Sequence, residues 1–133
     1  MTPVFDLASL DTAKKANEGV WMPVIHPKTK LPTGLRILLF GMDSEIQQKY
    51  QRDYMDRMVQ RKADAPAPDQ AEEELEMLAT CTGGWDMNGS PLVLEGKELP
   101  FTHENAKAVY KRFAWIKGDV DRFVGNRGNF LPE

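Results

Sequence analysis

The chain has 133 residues and a mass of 15.1 kDa, a length that suits one domain able to bury roughly two-thirds of its unfolded surface. A formal net charge of -3 and a pI near 5.4 argue against a nucleic-acid binder, which presents an excess of Lys and Arg along one face. The lone Cys81 excludes an internal disulfide, and the longest apolar run, Ile37 to Phe40, is too short to cross a membrane. The N-terminus lacks the basic and apolar regions of a signal peptide, so the expectation is a soluble protein of a reducing, cytoplasmic compartment.

In chain order, Ser9 to Asn17 predicts a short helix opened by a Ser or Asp cap and closed at Gly19, since glycine readily takes the left-handed conformation that ends helices. Val20 to Ile25 and Leu35 to Phe40 predict the two strands of a hairpin around the polar loop 28–34. Pro23 lacks a backbone donor, which places its strand at a sheet edge or starts the strand after it. Asp43 or Ser44 caps a helix running to about Lys62, on which Ile46, Tyr50, Tyr54, Met55, Met58 and Val59 recur at helical spacing as a core or protomer-contact stripe. ADAPAP, residues 63–68, breaks that helix, because proline lacks an N–H and turns the residue before it from helical geometry.

Asp69 then caps a helix with an acidic first turn and an apolar face of Ala71, Leu75, Leu78 and Ala79, stopped by Gly83-Gly84. From Trp85 to Phe101, turn signals at Asn88-Gly89, Gly96-Lys97 and Pro100 predict irregular structure with at most a tiny hairpin. Thr102 caps a helix with Ala106, Val109, Tyr110 and Phe113 on its inner face. After a break near Ala114 and Trp115, Ile116, Val120, Phe123 and Val124 continue the pattern in a second helix. The fold expectation is therefore α+β, mainly α, an N-terminal β-hairpin packed on about four to five short helices. A single domain covers 1–133, with a short helix, hairpin and long helix in 1–62, a Pro/Ala hinge at 63–68 and a helical part at 69–133.

Charge is unevenly spread. Asp64, Asp69, Glu72, Glu73, Glu74 and Glu76 have no cation among them, whereas Lys107, Lys111, Arg112, Lys117, Arg122 and Arg127 are opposed only by Asp119 and Asp121. Each block reads as a solvated helix face or as half of a complementary contact with a partner or a second copy. Arg122 and Arg127 flank a helix end, where positive charge is favoured, or could grip a phosphate. The tail Asn126 to Leu131 is suited to docking Phe130 either on its own domain or in a neighbour's groove.

No pattern suited to chemistry emerges. His26 and His103 lie at no ligand spacing from another His or Cys, no base flanks Cys81, and Asp119 and Asp121 point in different directions on their helix. The glycines match neither a P-loop nor a dinucleotide fingerprint. The expectation is a binding module with no catalytic residues, metal or cofactor.

Several short motifs resemble one family. Gly84-Trp85, Gly96 to Thr102, Glu104-Asn105-Ala106, Tyr110, Trp115-Ile116, Val120-Asp121, Phe123 and Asn126 to Leu131 are similar to the C-terminal pattern of small tail assembly proteins of long-tailed bacteriophages and prophages. Leu10-Asp11-Thr12, Glu18-Gly19, His26-Pro27, Thr33-Gly34 and Gly41 to Ser44 resemble the N-terminal half of the same group. The resemblance implies a non-catalytic tail assembly chaperone of the host cytoplasm, whose partners are the tape measure protein and the tail tube protein, with self-association possible. Met55, Met58, Arg122, Arg127 and Phe130 are the candidate partner-binding residues, methionine because its flexible thioether adapts to varied apolar stripes. The alternatives are a minor tail or tail-completion protein retained in the virion and a small nucleic-acid-binding regulator using the basic C-terminal helices.

Overall fold

A computed structural model describes residues 4–132. A 3-10 turn at Leu7–Leu10 and helix α1, Ala13–Glu18, precede strands β1, Val20–Ile25, and β2, Pro32–Leu39. Helices α2, Glu45–Gln60, and α3, Gln70–Thr80, follow, then strands β3, Thr82–Met87, β4, Val93–Leu94, and β5, Lys97–Glu98. Helices α4, His103–Arg112, and α5, Ala114–Gly125, lead to a closing 3-10 turn at Arg127–Phe130. The architecture is α+β, with five α-helices among the described residues.

The predicted hairpin is part of a larger sheet. Strand order is β1-β2-β3, all antiparallel, with Met22 opposite Ile37 and Ile37 opposite Trp85. The turn-rich stretch was expected to be irregular, yet its first residues form the third strand. Gly83-Gly84 do not act as a helix stop and loop but lie inside β3. Leu38 pairs with Gly84 and Leu39 with Thr82, so Gly83 is the extra residue of a bulge. A Cβ at Gly83 would lie 2.7 Å from Phe40 Cζ, which is why the close approach needs glycine. The tiny hairpin does form, as β4 and β5 around Glu95-Gly96, both at positive φ. Pro23 sits on edge strand β1, opposite Arg36, in keeping with its lack of a backbone donor.

One sheet face is covered. Met22, Val24, Ile37 and Leu39 point into a core with Leu75, Leu78 and Ala79 of α3, Ala106, Val109 and Tyr110 of α4, and Ile116, Val120 and Val124 of α5. These recur at helical spacing, and each fully buried large side chain contributes about 1.5 to 3 kcal/mol. Ala71, expected on the apolar face of α3, is exposed, because the helix meets the core only from its second turn. Within the core Thr82 Oγ1 donates to the Leu78 carbonyl at 2.7 Å, so the Tyr110 hydroxyl, also 2.7 Å away, donates to Thr82. The Cys81 thiol donates to Gln47 Oε1 at 2.6 Å and is pushed up to about 12 by burial, far from a reactive thiolate.

Three helices start as their caps dictate. Ser44 accepts from Gln47 N–H, Asp69 from Ala71 and Glu72, and Thr102 from Asn105. Phe113, at φ -107 and ψ 76, makes the break between α4 and α5.

Candidate partner-binding surface

Helix α2 departs furthest from its expected role. Of its sixteen residues Gln47 alone is buried, whereas Ile46 is 40% exposed, Met55 59% and Val59 81%. The stripe predicted as core or protomer contact is therefore largely uncovered in the single chain. Tyr50, Tyr54 and Met58 are half-buried on the side facing α3, and Met55 and Val59 turn to solvent one helical turn apart.

A polar clasp, not an apolar seam, holds the outer part of α2 to α3. Glu73 accepts the Tyr50 hydroxyl at 2.7 Å and the Arg57 guanidinium at 3.0 Å. The Arg57 and Tyr50 hydrogen bonds hold the Glu73 carboxyl below its ordinary value, and burial, aided by Glu73, pushes Tyr50 up to about 12. Beside the clasp runs an open groove of about 570 Å³, lined in part by Ile46, Lys49, Asp53 and Glu76.

The acidic and basic blocks meet each other inside the chain. Lys107 Nζ lies 2.6 Å from Glu72 and 2.7 Å from Glu76, Lys117 lies 2.7 Å from Glu74, and His103 Nε2 lies 2.7 Å from Glu76. The bond from Lys107, and then that from His103, holds the Glu76 carboxyl below its usual value, while Glu72 and Glu76 raise Lys107. Arg112 reaches Glu95 at 2.7 Å, and Arg122 pairs with Asp119 one turn earlier on α5. Neither block is left as a bare half-interface, because α3 runs beside α4 and α5 and its Glu72, Glu74 and Glu76 meet Lys107 and Lys117. Spacing along the chain gave no sign of this; only the packing of the three helices brings the blocks together.

The predicted partner-binding residues are scattered. Met55 and Met58 share α2, Met55 exposed and Met58 half-buried. Arg122 is exposed on α5, a different helix from Met55 and Met58. Arg127 Nε donates to Asp43 Oδ2 at 2.9 Å, tying the C-terminal turn to the start of α2. That bond, with one from Thr12 at 2.5 Å, holds the Asp43 carboxyl below its ordinary value. Phe130 is 1% exposed and docks on its own domain, edge-on to Phe123 with ring centroids 5.9 Å apart. A Cβ at Gly41 would stand 3.0 Å from the Phe130 ring and 2.9 Å from Ala16, so a glycine there is what admits the ring. Of the five, Met55 offers the most accessible apolar surface, which Val59, outside the predicted set, continues.

No family model, curated protein or solved structure matches the chain.

A second uncovered region lies at the N-terminal end of the described chain. Val4, Phe5, Leu7 and Leu10 are all more than half exposed, at 94%, 69%, 72% and 52%. Their signal was available as four large apolar groups in seven residues without helical or strand periodicity. Among the described residues no group of three or more His, Cys, Asp or Glu side chains could hold a metal ion, and no helix is long and apolar enough to cross a membrane.

Proposed function

We propose that this chain is a tail assembly chaperone of a long-tailed bacteriophage or prophage, acting in the host cytoplasm on the tape measure protein and helping to recruit tail tube subunits. The observation that carries the reading, beside the motif resemblance, is α2: a four-turn helix that buries one polar side chain and leaves Met55 and Val59 in solvent. An elongated, helical client exposes apolar stripes that would aggregate alone. A helix with adaptable methionine and β-branched groups, mounted on a body of sheet and helices, can cover such stripes without strict sequence readout. On this reading the hairpin and the surrounding helices are the scaffold and α2 is the working surface. The nucleic-acid alternative loses support because Lys107, Arg112, Lys117, Arg122 and Arg127 each pair with a carboxylate of this chain.

Co-expression with a long helical tape measure protein tests the proposal. The client should become soluble and be captured with this protein, and Met55→Lys combined with Val59→Lys should abolish capture while circular dichroism stays unchanged. A client equally insoluble with and without the protein would remove the reading.

A further inference from the structure

We propose that His26 is a proton-sensitive cap at the tip of the β1–β2 hairpin, closing loop 26–31 while its ring is neutral and releasing it when the ring is protonated. The loop needs a cap because of its sequence. Pro27 has no N–H, so the first backbone donors after His26 are those of Lys28 and Thr29. Both donate to His26 Nδ1, at 3.1 and 3.2 Å. A backbone N–H can only donate, so Nδ1 is unprotonated and the ring is the neutral tautomer with its hydrogen on Nε2.

His26 holds the tip through its main chain as well. Its N–H donates to the Leu31 carbonyl at 2.8 Å, and its carbonyl accepts from Lys30 N–H at 2.9 Å, around a Lys30 held at φ 63. That left-handed backbone is strained for a lysine and persists only where the surrounding bonds enforce it. In most turns of this kind an Asp, Asn or Ser oxygen supplies the acceptor. Imidazole differs because it gains a proton between about pH 5 and 8. The added proton goes to Nδ1 and turns the acceptor into a donor that faces two other donors.

The surroundings give the charged ring no place in the turn. Lys28 and Lys30 lie in the same loop, and from α5 Asp119 and Arg122 line the same hollow of about 410 Å³, beside Trp115. Asp119, the carboxylate among the described residues lining that hollow, is already paired with Arg122. On protonation the ring therefore turns out to solvent, Lys28 and Thr29 lose their acceptor, and Lys30 relaxes. The change stops at the loop, because Thr33 Oγ1 donates to the Val24 carbonyl at 2.9 Å and ties β2 to β1 just below it. One wall of the hollow beside Trp115 thus opens with acid while the paired strands stay in register.

Nuclear magnetic resonance on the intact chain tests this without any client. At about pH 8 the ring nitrogen shifts of His26 should report hydrogen on Nε2. His26→Asn keeps a side-chain acceptor that does not titrate, so it serves as the reference at each pH. As pH falls to about 5, exchange of the Lys28 and Thr29 amides with water should accelerate by about threefold or more relative to that variant, as loss of a cap requires. His26→Ala should show the faster exchange at every pH. The response should persist in His103→Gln, which removes the other histidine of the chain. Hydrogen on Nδ1 at about pH 8 overturns the proposal, as does an exchange ratio to His26→Asn that stays constant with pH, or a response that disappears in His103→Gln.

Discussion

Helices α2 and α3 stand side by side in sequence and in space, each opened by a side-chain cap, yet they are held in the fold by different means. Eleven-residue α3 sinks Leu75, Leu78 and Ala79 into the core, whereas sixteen-residue α2 sinks Gln47 alone and leans on the Tyr50–Glu73–Arg57 clasp. Apolar burial contributes in proportion to area and is insensitive to pH, while a clasp near the surface is worth little and depends on the charge of its carboxylate. The same molecule thus carries a firmly packed half and a helix that is free to be used.

The largest effect should come from the packed half. Phe130→Ala removes a ring that is 1% exposed and leaves a void between Gly41, Ala16 and Phe123, so unfolding stability should fall by about 3 to 5 kcal/mol in a denaturant titration. A loss below about 1 kcal/mol would mean that the C-terminal turn is not part of the core.

An intermediate effect should separate the two helices by pH. The Glu73 and Glu76 carboxyls are held below their ordinary 4.5, so the folded state binds fewer protons than the unfolded one. Their stabilisation is complete above that value and is lost as pH falls through the depressed values. Amide hydrogen exchange should therefore show α2 losing protection before α4 and α5 as the solution is acidified below about 4.5. Glu73→Gln should reproduce that loosening severalfold at neutral pH, confined to residues 50–60. Equal acceleration throughout the chain would show that α2 is as deeply anchored as its neighbours.

The smallest effect should be Val59→Ser. At 81% exposure the side chain touches little, and stability should change by no more than about 0.5 kcal/mol in the same titration. A larger loss would mean that Val59 is covered in the isolated protein, as self-association through α2 would cause.

Local chemistry accounts for what was legible beforehand. Ser44, Asp69 and Thr102 cap helices through their own oxygens, and Pro23 finds a sheet edge because it cannot donate; each effect acts within a few residues. What escaped depends on partners remote in sequence. Gly83-Gly84 reads as a stop because glycine ends helices, and only the approach of Phe40 and the pairing with Leu38 make it a bulged strand. The spacing of Ile46, Met55 and Val59 announces a helix but cannot say whether anything lies against it. The two charge blocks likewise looked like separate surfaces until α3 lay along α4 and α5. At the candidate site, Met55 was visible as an adaptable apolar group, whereas the burial of Phe130 followed from Gly41, a residue whose role is to be absent.

The Arg127–Asp43 pair spans 84 positions, and Phe130 closes over Gly41 beside it. During synthesis the N-terminal half therefore emerges with an uncapped hollow at the start of α2, and no local rearrangement can fill it until the last residues of the domain are made. Thr12 and Asn17 already hold the start of that helix from the N-terminal side, so completion of the tail adds its last fixed point and not its first.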